Sequence, residues 1–358
     1  MAYTTIDDPS AYFQTITWTG NGSDPRTITF DGNSDMQPDW VWEKSRSLAY
    51  QHNIYDSVRG GGKGVVTNTT AAEVSNNANG YISAFTSDGF TLTAGSTNNE
   101  QLNENTTTYV GWGWKAGTSF TNDASGTGIG SIDSAGSVNQ DAGFSIISYT
   151  GTAANATIAH GLGSVPKMYI ARNIDDAEQW TTYHVGIGAT HHLRLNTNDA
   201  KVDEAEVWND TEPTSTVFSV GSSGAPNGDG DRHIAYCFAE KQGYSKFGSY
   251  TGNGNADGTF VYTGFKPAFV LIKITDNGSQ DWFVLDNKRS PSNLVDDSLA
   301  PNQTDQEYTS EANLDFTAQG FKLRMTSIRV NGSGNNYIYM AFAEQPFVTS
   351  TGVPATAR

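Results

Sequence analysis

The chain has 358 residues, 36% of them hydrophobic yet 11% aromatic, with 38 acidic against 21 basic side chains and a net charge of -17. Its length fits two or three domains, and its aromatic content supplies the apolar surface that disordered chains lack. The charge repels nucleic acid and anionic membranes over most of the surface, no apolar run is long enough for membrane insertion, and the single Cys237 forbids an internal disulfide.

The opening stretch, MAYTTIDDPS, has neither a basic nor an apolar signal region, which predicts no Sec-type signal; residues 1–17 read as an N-terminal attachment segment. From there one pattern recurs three times. An aromatic-Thr-Gly step comes first, at Trp18-Thr-Gly20, Tyr149-Thr-Gly151 and Tyr250-Thr-Gly252. A proline then opens an apolar strand carrying a basic residue six places on, at Pro38 and Lys44, Pro166 and Arg172, and Pro267 and Lys273. An alternating strand closes each copy, at Tyr109–Trp114, His233–Phe238 and Tyr337–Phe342. The intervals from proline to final aromatic are nearly equal, which is the mark of internal repetition.

Smaller matches fall between these anchors: Thr86-Ser-Asp-Gly-Phe90 answers Thr317-Ala-Gln-Gly-Phe321, and Trp180–His184 answers Trp282–Asp286. Short strands broken by Gly, Asn and Asp predict an all-β chain of three tandem β-sandwich, jelly-roll-like domains. Their bounds are 18–117, 144–243 and 244–349, with a Gly/Ser/Asp-rich linker at 118–143 and a C-terminal tail at 350–358. In the closing strands the period-2 rule places Trp112 with Trp114, Tyr236 with Phe238, and Met340 with Phe342 on one face. Gly113, Cys237 and Ala341 then occupy small slots on the other face, where something approaches closely.

Signs of catalysis are sparse, and no enzyme is expected. Cys237 sits where the other copies hold Gly113 and Ala341, so it reads as a buried filler and not a nucleophile. His191 and His192 offer metal-ligand chemistry but point to opposite faces of a strand and lack a second Cys/His cluster, so no metal or other cofactor is expected. Asn227-Gly-Asp-Gly-Asp231 looks faintly like a calcium loop, but copies at Asn98 and Asn331 mark the place as a turn. Gly60–Gly64 lacks the spacing of a phosphate-binding loop. Adjacent acid pairs such as Asp7-Asp8, Asp175-Asp176 and Asp296-Asp297 specify no acid/base couple. Lys44, Arg172 and Lys273, present in every copy, read as members of structural ion pairs. Trp208 is peculiar to the second copy and lies in a polar stretch. With His191 and His192 it is the candidate receptor- or ligand-binding residue, against the plainer reading of a ring covering a loop.

The start Tyr3–Thr15, the run from Pro38 through Trp42, His52, Asp56 and Val58-Arg59-Gly60 to Ser87-Asp-Gly-Phe90, and the end Tyr337–Glu344 followed by Pro346-Phe347 together resemble virion structural proteins of tailed phages. Those infecting marine bacteria and cyanobacteria are the nearest in pattern. The second copy departs most, lacking the Val-Arg-Gly and Ser-Asp-Gly-Phe elements. The resemblance implies a virion location and a non-enzymatic tail fibre or host-attachment appendage. Its partners would be other phage virion proteins, further copies of itself in a homo-oligomer expected as a trimer, and a host surface glycan. A capsid decoration protein and a carbohydrate-binding module are the alternatives. A depolymerase tailspike is disfavoured, since neither short-period β-helix repeats nor a convergent carboxylate pair can be read.

Overall fold

Turn-forming residues set between short aromatic and β-branched runs favour antiparallel strands, and such strands carry nearly all the regular structure. A computed structural model describes residues 2–355. In each repeat an opening strand (Phe13–Thr19, Phe144–Thr150, Ser245–Thr251) pairs with a closing strand (Thr108–Trp114, Arg232–Phe238, Asn336–Pro346). The closing strand pairs in turn with a second strand (Trp40–Ser45, Met168–Asn173, Phe265–Ile274). The register is the same in all three: Trp112 lies opposite Trp42, Tyr236 opposite Ile170, and Met340 opposite Leu271. A further strand, His52–Asp56, Thr181–His184 or Phe283–Asp286, extends each sheet beyond the second. The three anchors therefore mark the same strands in each third of the chain.

The closing strands alternate as their sequence requires. Trp112, Trp114, Tyr236, Phe238, Met340 and Phe342 enter one core shared by all three repeats. Rings cross between repeats there: Trp40 lies 4.8 Å from Tyr236, and Phe342 lies 5.6 Å from Trp114. On the opposite faces are three further cores, one per repeat, each closed by outer strands. Phe90 and Phe321 come from the paired turns noted above: Phe90 pairs with Ile28 and Phe321 with Val261 on the outer strands. The expectation of successive self-contained domains thus needs correction. Each repeat has its own small core, which takes Trp18 in the first and Trp208 in the second, but the inner faces of all three are buried against one another.

The small slots work as read. A Cβ on Gly113 would stand 2.5 Å from Phe30 Cζ, while Cys237 and Ala341 lie wholly buried at the matching places. Gly113→Ala should therefore cost about 1–3 kcal/mol in urea unfolding, because a packed ring must move. Cys237→Ala should cost less, since the third repeat already holds alanine there.

The aromatic-Thr-Gly step also has a common cause. Trp18, Tyr149 and Tyr250 each donate from the side chain to a carbonyl, those of Leu102, Pro226 and Val330, at 2.7–2.9 Å. The next residues, Asn103, Asn227 and Asn331, accept from the backbone just after each glycine. A Cβ at Gly20, Gly151 or Gly252 would meet this turn's backbone at 1.9–2.4 Å. Only glycine fits. Asn103, not Asn98, is therefore the first-repeat counterpart of Asn227 and Asn331.

Two segments read as connectors belong to the fold. Within residues 118–143, Thr118–Asn122 and Ser134–Asn139 add two strands to the second repeat's sheet. Asp123 caps the intervening turn by accepting the Gly126 N–H at 3.0 Å. Small polar residues suit a flexible linker, but backbone pairing and a cap override composition here. Of residues 1–17, Phe13 onward is already the first opening strand. The residues before it are fastened to the third repeat and to the end of the second, Tyr3 donating to Gly264 O at 2.7 Å and Thr4 to Gln242 O at 2.8 Å. The expected tail at 350–358 is partly ordered, with Val348 bridged to Pro354, and its last three residues lie outside the described residues.

Candidate functional site

The seams between repeats gather most of the buried polar chemistry. Three matching backbone bonds close a ring: Glu73 N–H to Ile174 O, Lys201 N–H to Thr275 O, and Glu307 N–H to Arg46 O, at 2.7–2.9 Å. The first repeat thus binds the second, the second the third, and the third the first. Side chains follow the same order. Asp56, fully buried, accepts from Tyr236 OH at 2.8 Å and from Arg59 Nε at 2.6 Å, and Arg59 reaches Glu73 at 3.2 Å. Asp286 likewise accepts from Trp112 Nε1 at 3.0 Å and from Arg289 Nε at 2.5 Å, and Arg289 reaches Glu307 at 3.1 Å. In the second repeat His184 takes the aspartate's place and contacts Tyr339 O at 3.1 Å. Met340, the counterpart of Trp112 and Tyr236, carries no donor, so the backbone serves instead.

Lys44, Arg172 and Lys273 correct the ion-pair expectation. All three are fully buried and donate to carbonyls: Lys44 to Ser45 and Leu48, Arg172 to Thr70 and Ala71, and Lys273 to Asn198 and Gln280. Arg172 and Lys273 thereby grip loops of the preceding repeat. Burial lowers Lys44 and Lys273 to about 8. Neutral carbonyls relieve that desolvation only in part.

A cleft of about 470 Å³ opens at the seam between the first and second repeats. Val58 and Ile174 form part of an apolar floor, Glu73 and Arg59 stand beside it, and Lys63 and Arg232 stand at the rim. Glu73 is 5% exposed. One of its carboxylate oxygens takes Arg59 at 3.2 Å, while Lys63 and Arg232 stay 3.7 and 3.9 Å from the other. Arg232 turns its Nε and Nη2 to Asp175, at 2.6–3.2 Å.

The residues singled out from sequence do not converge on this cleft. Trp208 is fully buried in the second repeat's own core, edge-on to Tyr169 at 4.8 Å, so it cannot stack on a ligand. It closes the helical turn Ala205–Trp208, whose last two residues both turn inward, and a polar neighbourhood gave no sign of that. His191 and His192 do point to opposite faces. His191 is partly exposed and bonds to Thr190, whereas His192 is buried, lowered to about 4 chiefly by desolvation, with Arg194 adding to the effect. Among the described residues no group of three His, Cys, Asp or Glu could hold a metal.

Asn227 of the calcium-like loop is buried and donates to Ala154 O and Gly221 O. Burial raises the Cys237 thiol far above its ordinary range. It should resist thiol reagents in the native protein and react at once in denaturant, as a spectrophotometric thiol assay would read.

Asp56, Arg59, Glu73, Tyr236, Arg289 and Glu307 are what the sequence reading missed. The signal was the matched Asp-x-x-Arg spacing at Asp56–Arg59 and Asp286–Arg289. The third repeat also exposes Phe260 and Tyr262 on an outer strand, at 47% and 53%, where the first has Thr27 and Thr29 and the second Thr157 and Ala159.

A family model described as a domain of unknown function, DUF7483, matches residues 8–346. No curated protein matches the chain.

Proposed function

We propose that this chain, which belongs to the DUF7483 family of unknown function, is a non-catalytic structural component of a phage virion, serving as a tail-fibre or host-attachment body. The observation that carries this reading is the closed ring. Three copies of one β unit, which we read as sandwiches of an inner and an outer sheet, are stitched head to tail by buried hydrogen bonds and ion pairs. Such a body is a stiff mount for surface loops, and the acidic surface keeps it from self-association through open strand edges. The resemblance of its N-terminal, first-repeat and C-terminal stretches to phage virion proteins is what favours the virion as the location.

One chain already brings three equivalent units around a shared core. Homo-oligomerisation would then multiply finished bodies, where a homotrimer of single units would have to assemble one. Antibody against the third repeat, imaged on purified virions by negative-stain microscopy, tests the reading. Label at the tail is expected. Label on the shell alone would move the chain to capsid decoration, and no label on particles would overturn the virion role.

A further inference from the structure

We propose that the cleft between the first and second repeats is a binding site for a neutral saccharide unit. The inference concerns ligand chemistry and does not rest on where the chain is mounted.

The argument comes from comparing three equivalent seams. In the register of the second strands, Ile174, Thr275 and Arg46 occupy the same place, as their matched hydrogen bonds to Glu73, Lys201 and Glu307 show. At the third–first seam Arg46 fills the slot and grips Glu307 through two nitrogens at 2.7–3.1 Å. At the second–third seam Lys201 replaces the glutamate, and Gly186 stands where Val58 stands in the first repeat. A Cβ on Gly186 would lie 3.0 Å from Ile338 Cγ2 and 3.2 Å from Ser249 Cβ, so side chains of the third repeat pack directly against Gly186 at that seam. Only at the first–second seam, among the described residues, is the carboxylate kept while the arginine that would satisfy it is replaced by a short apolar side chain. The result is a cleft of about 470 Å³, within the usual range of ligand pockets.

The lining decides what fits. Glu73 offers an oxygen whose nearest cations, Lys63 and Arg232, stand beyond hydrogen-bond reach at 3.7 and 3.9 Å. Glu73 lines the open cleft, so a ligand hydroxyl can donate to that oxygen in a charge-assisted hydrogen bond. An ammonium or guanidinium ligand would meet Lys63 and Arg232. A free anion would meet Glu73 and Asp133. A hydroxyl suits both signs, donating to Glu73 and accepting from Lys63 and Arg232. Val58 and Ile174 offer an apolar floor for the C–H face of a sugar ring.

Saturation-transfer NMR on the full chain, with the methyl glycosides of glucose, galactose, mannose and N-acetylglucosamine as probes, tests this. Sulfate and guanidinium serve as charged competitors. The expected result is transfer to at least one sugar, weakened about tenfold or more in Glu73→Gln. It should vanish in Ile174→Arg, which copies Arg46 into the slot and should leave the melting temperature equal or higher. Should Ile174→Arg fail to fold, Lys63→Ala decides, because Lys63 is 39% exposed and its loss spares the core; it should weaken transfer. The proposal is overturned by no transfer from any of the four sugars, by transfer unchanged in the slot variants, or by displacement of the sugar by either charged competitor at equal concentration.

Discussion

Asp286→Ala should lower stability by about 3–5 kcal/mol in urea unfolding followed by tryptophan fluorescence, and Asp56→Ala by a similar amount. Asp286 is fully buried, and its loss strands two side-chain donors from different parts of the chain, besides the backbone N–H groups of Lys288 and Arg289. Trp112 Nε1, from the first repeat, loses its acceptor at 3.0 Å. Arg289, also fully buried at its side chain, keeps Glu307, Val284 O and the face of the Trp112 ring but loses its closest carboxylate. The same atom of Asp286 thus serves a turn within the third repeat and the seam to the first.

Leaving such a cation partly uncompensated in the interior is more damaging than removing the whole pair. Asp286→Ala combined with Arg289→Met should accordingly lose less than Asp286→Ala alone. The Lys246–Glu240 pair is the control. It is exposed at 36% and 28%, so Glu240→Ala should change stability by less than about 1 kcal/mol. Equal losses at Asp286 and Glu240 would remove the seam networks from the account.

Stability should also fall steeply as pH drops from about 6.5 toward 4, read as the urea midpoint at successive pH values. His160 and His184 are fully buried and lowered to about 4, mainly by desolvation, with His52 displaced in the same direction and for the same leading reason. The hydrogen bonds explain why a proton is unwelcome. In each ring Nδ1 already accepts an N–H, from Leu162, Gly186 and the Trp42 indole respectively.

The sign follows from linkage. Below the ordinary histidine value near 6.5 the unfolded chain binds protons that the folded chain refuses until about 4, so stability is lost as pH falls through that window. His160 and His184 each contribute about 3 kcal/mol by pH 4, and His52 acts in the same direction. Glu43 opposes this. Fully buried and raised well above the carboxylate range by desolvation, it favours the folded state as pH falls toward its unfolded value. Asp297, partly exposed, is raised as well, but these two carboxyls stand against His52, His160, His184 and His192, which leaves the net slope acid-destabilising, and Glu43→Gln should steepen it. A midpoint that stayed level between pH 7 and 4.5 would refute this reading.

What could be read from the sequence is what a period of two and a fixed order of anchors can encode. The alternation at Trp112–Trp114, Tyr236–Phe238 and Met340–Phe342 told which side chains share a face, and the structure places them so. It could not tell what that face meets. A sheet side of large rings suits a private sandwich core or a joint one, and only the ring of seam bonds selects the joint core.

Composition misled in two places for one reason. The Gly/Ser/Asp-rich stretch 118–143 and the polar surroundings of Trp208 both looked solvent-facing. Backbone pairing orders the first, and a single inward helical turn buries the second. The cleft was the least legible feature. It depends on Ile174 standing where Arg46 stands, a difference that means nothing until the seams are superposed.

Scanning calorimetry tests the shared core most directly, by comparing the measured enthalpy of unfolding with that implied by the sharpness of the transition. If the inner-face rings of the three repeats are buried in one joint core, the chain should melt in one step with the two enthalpies equal. Separate transitions, one for each third of the chain, would contradict it.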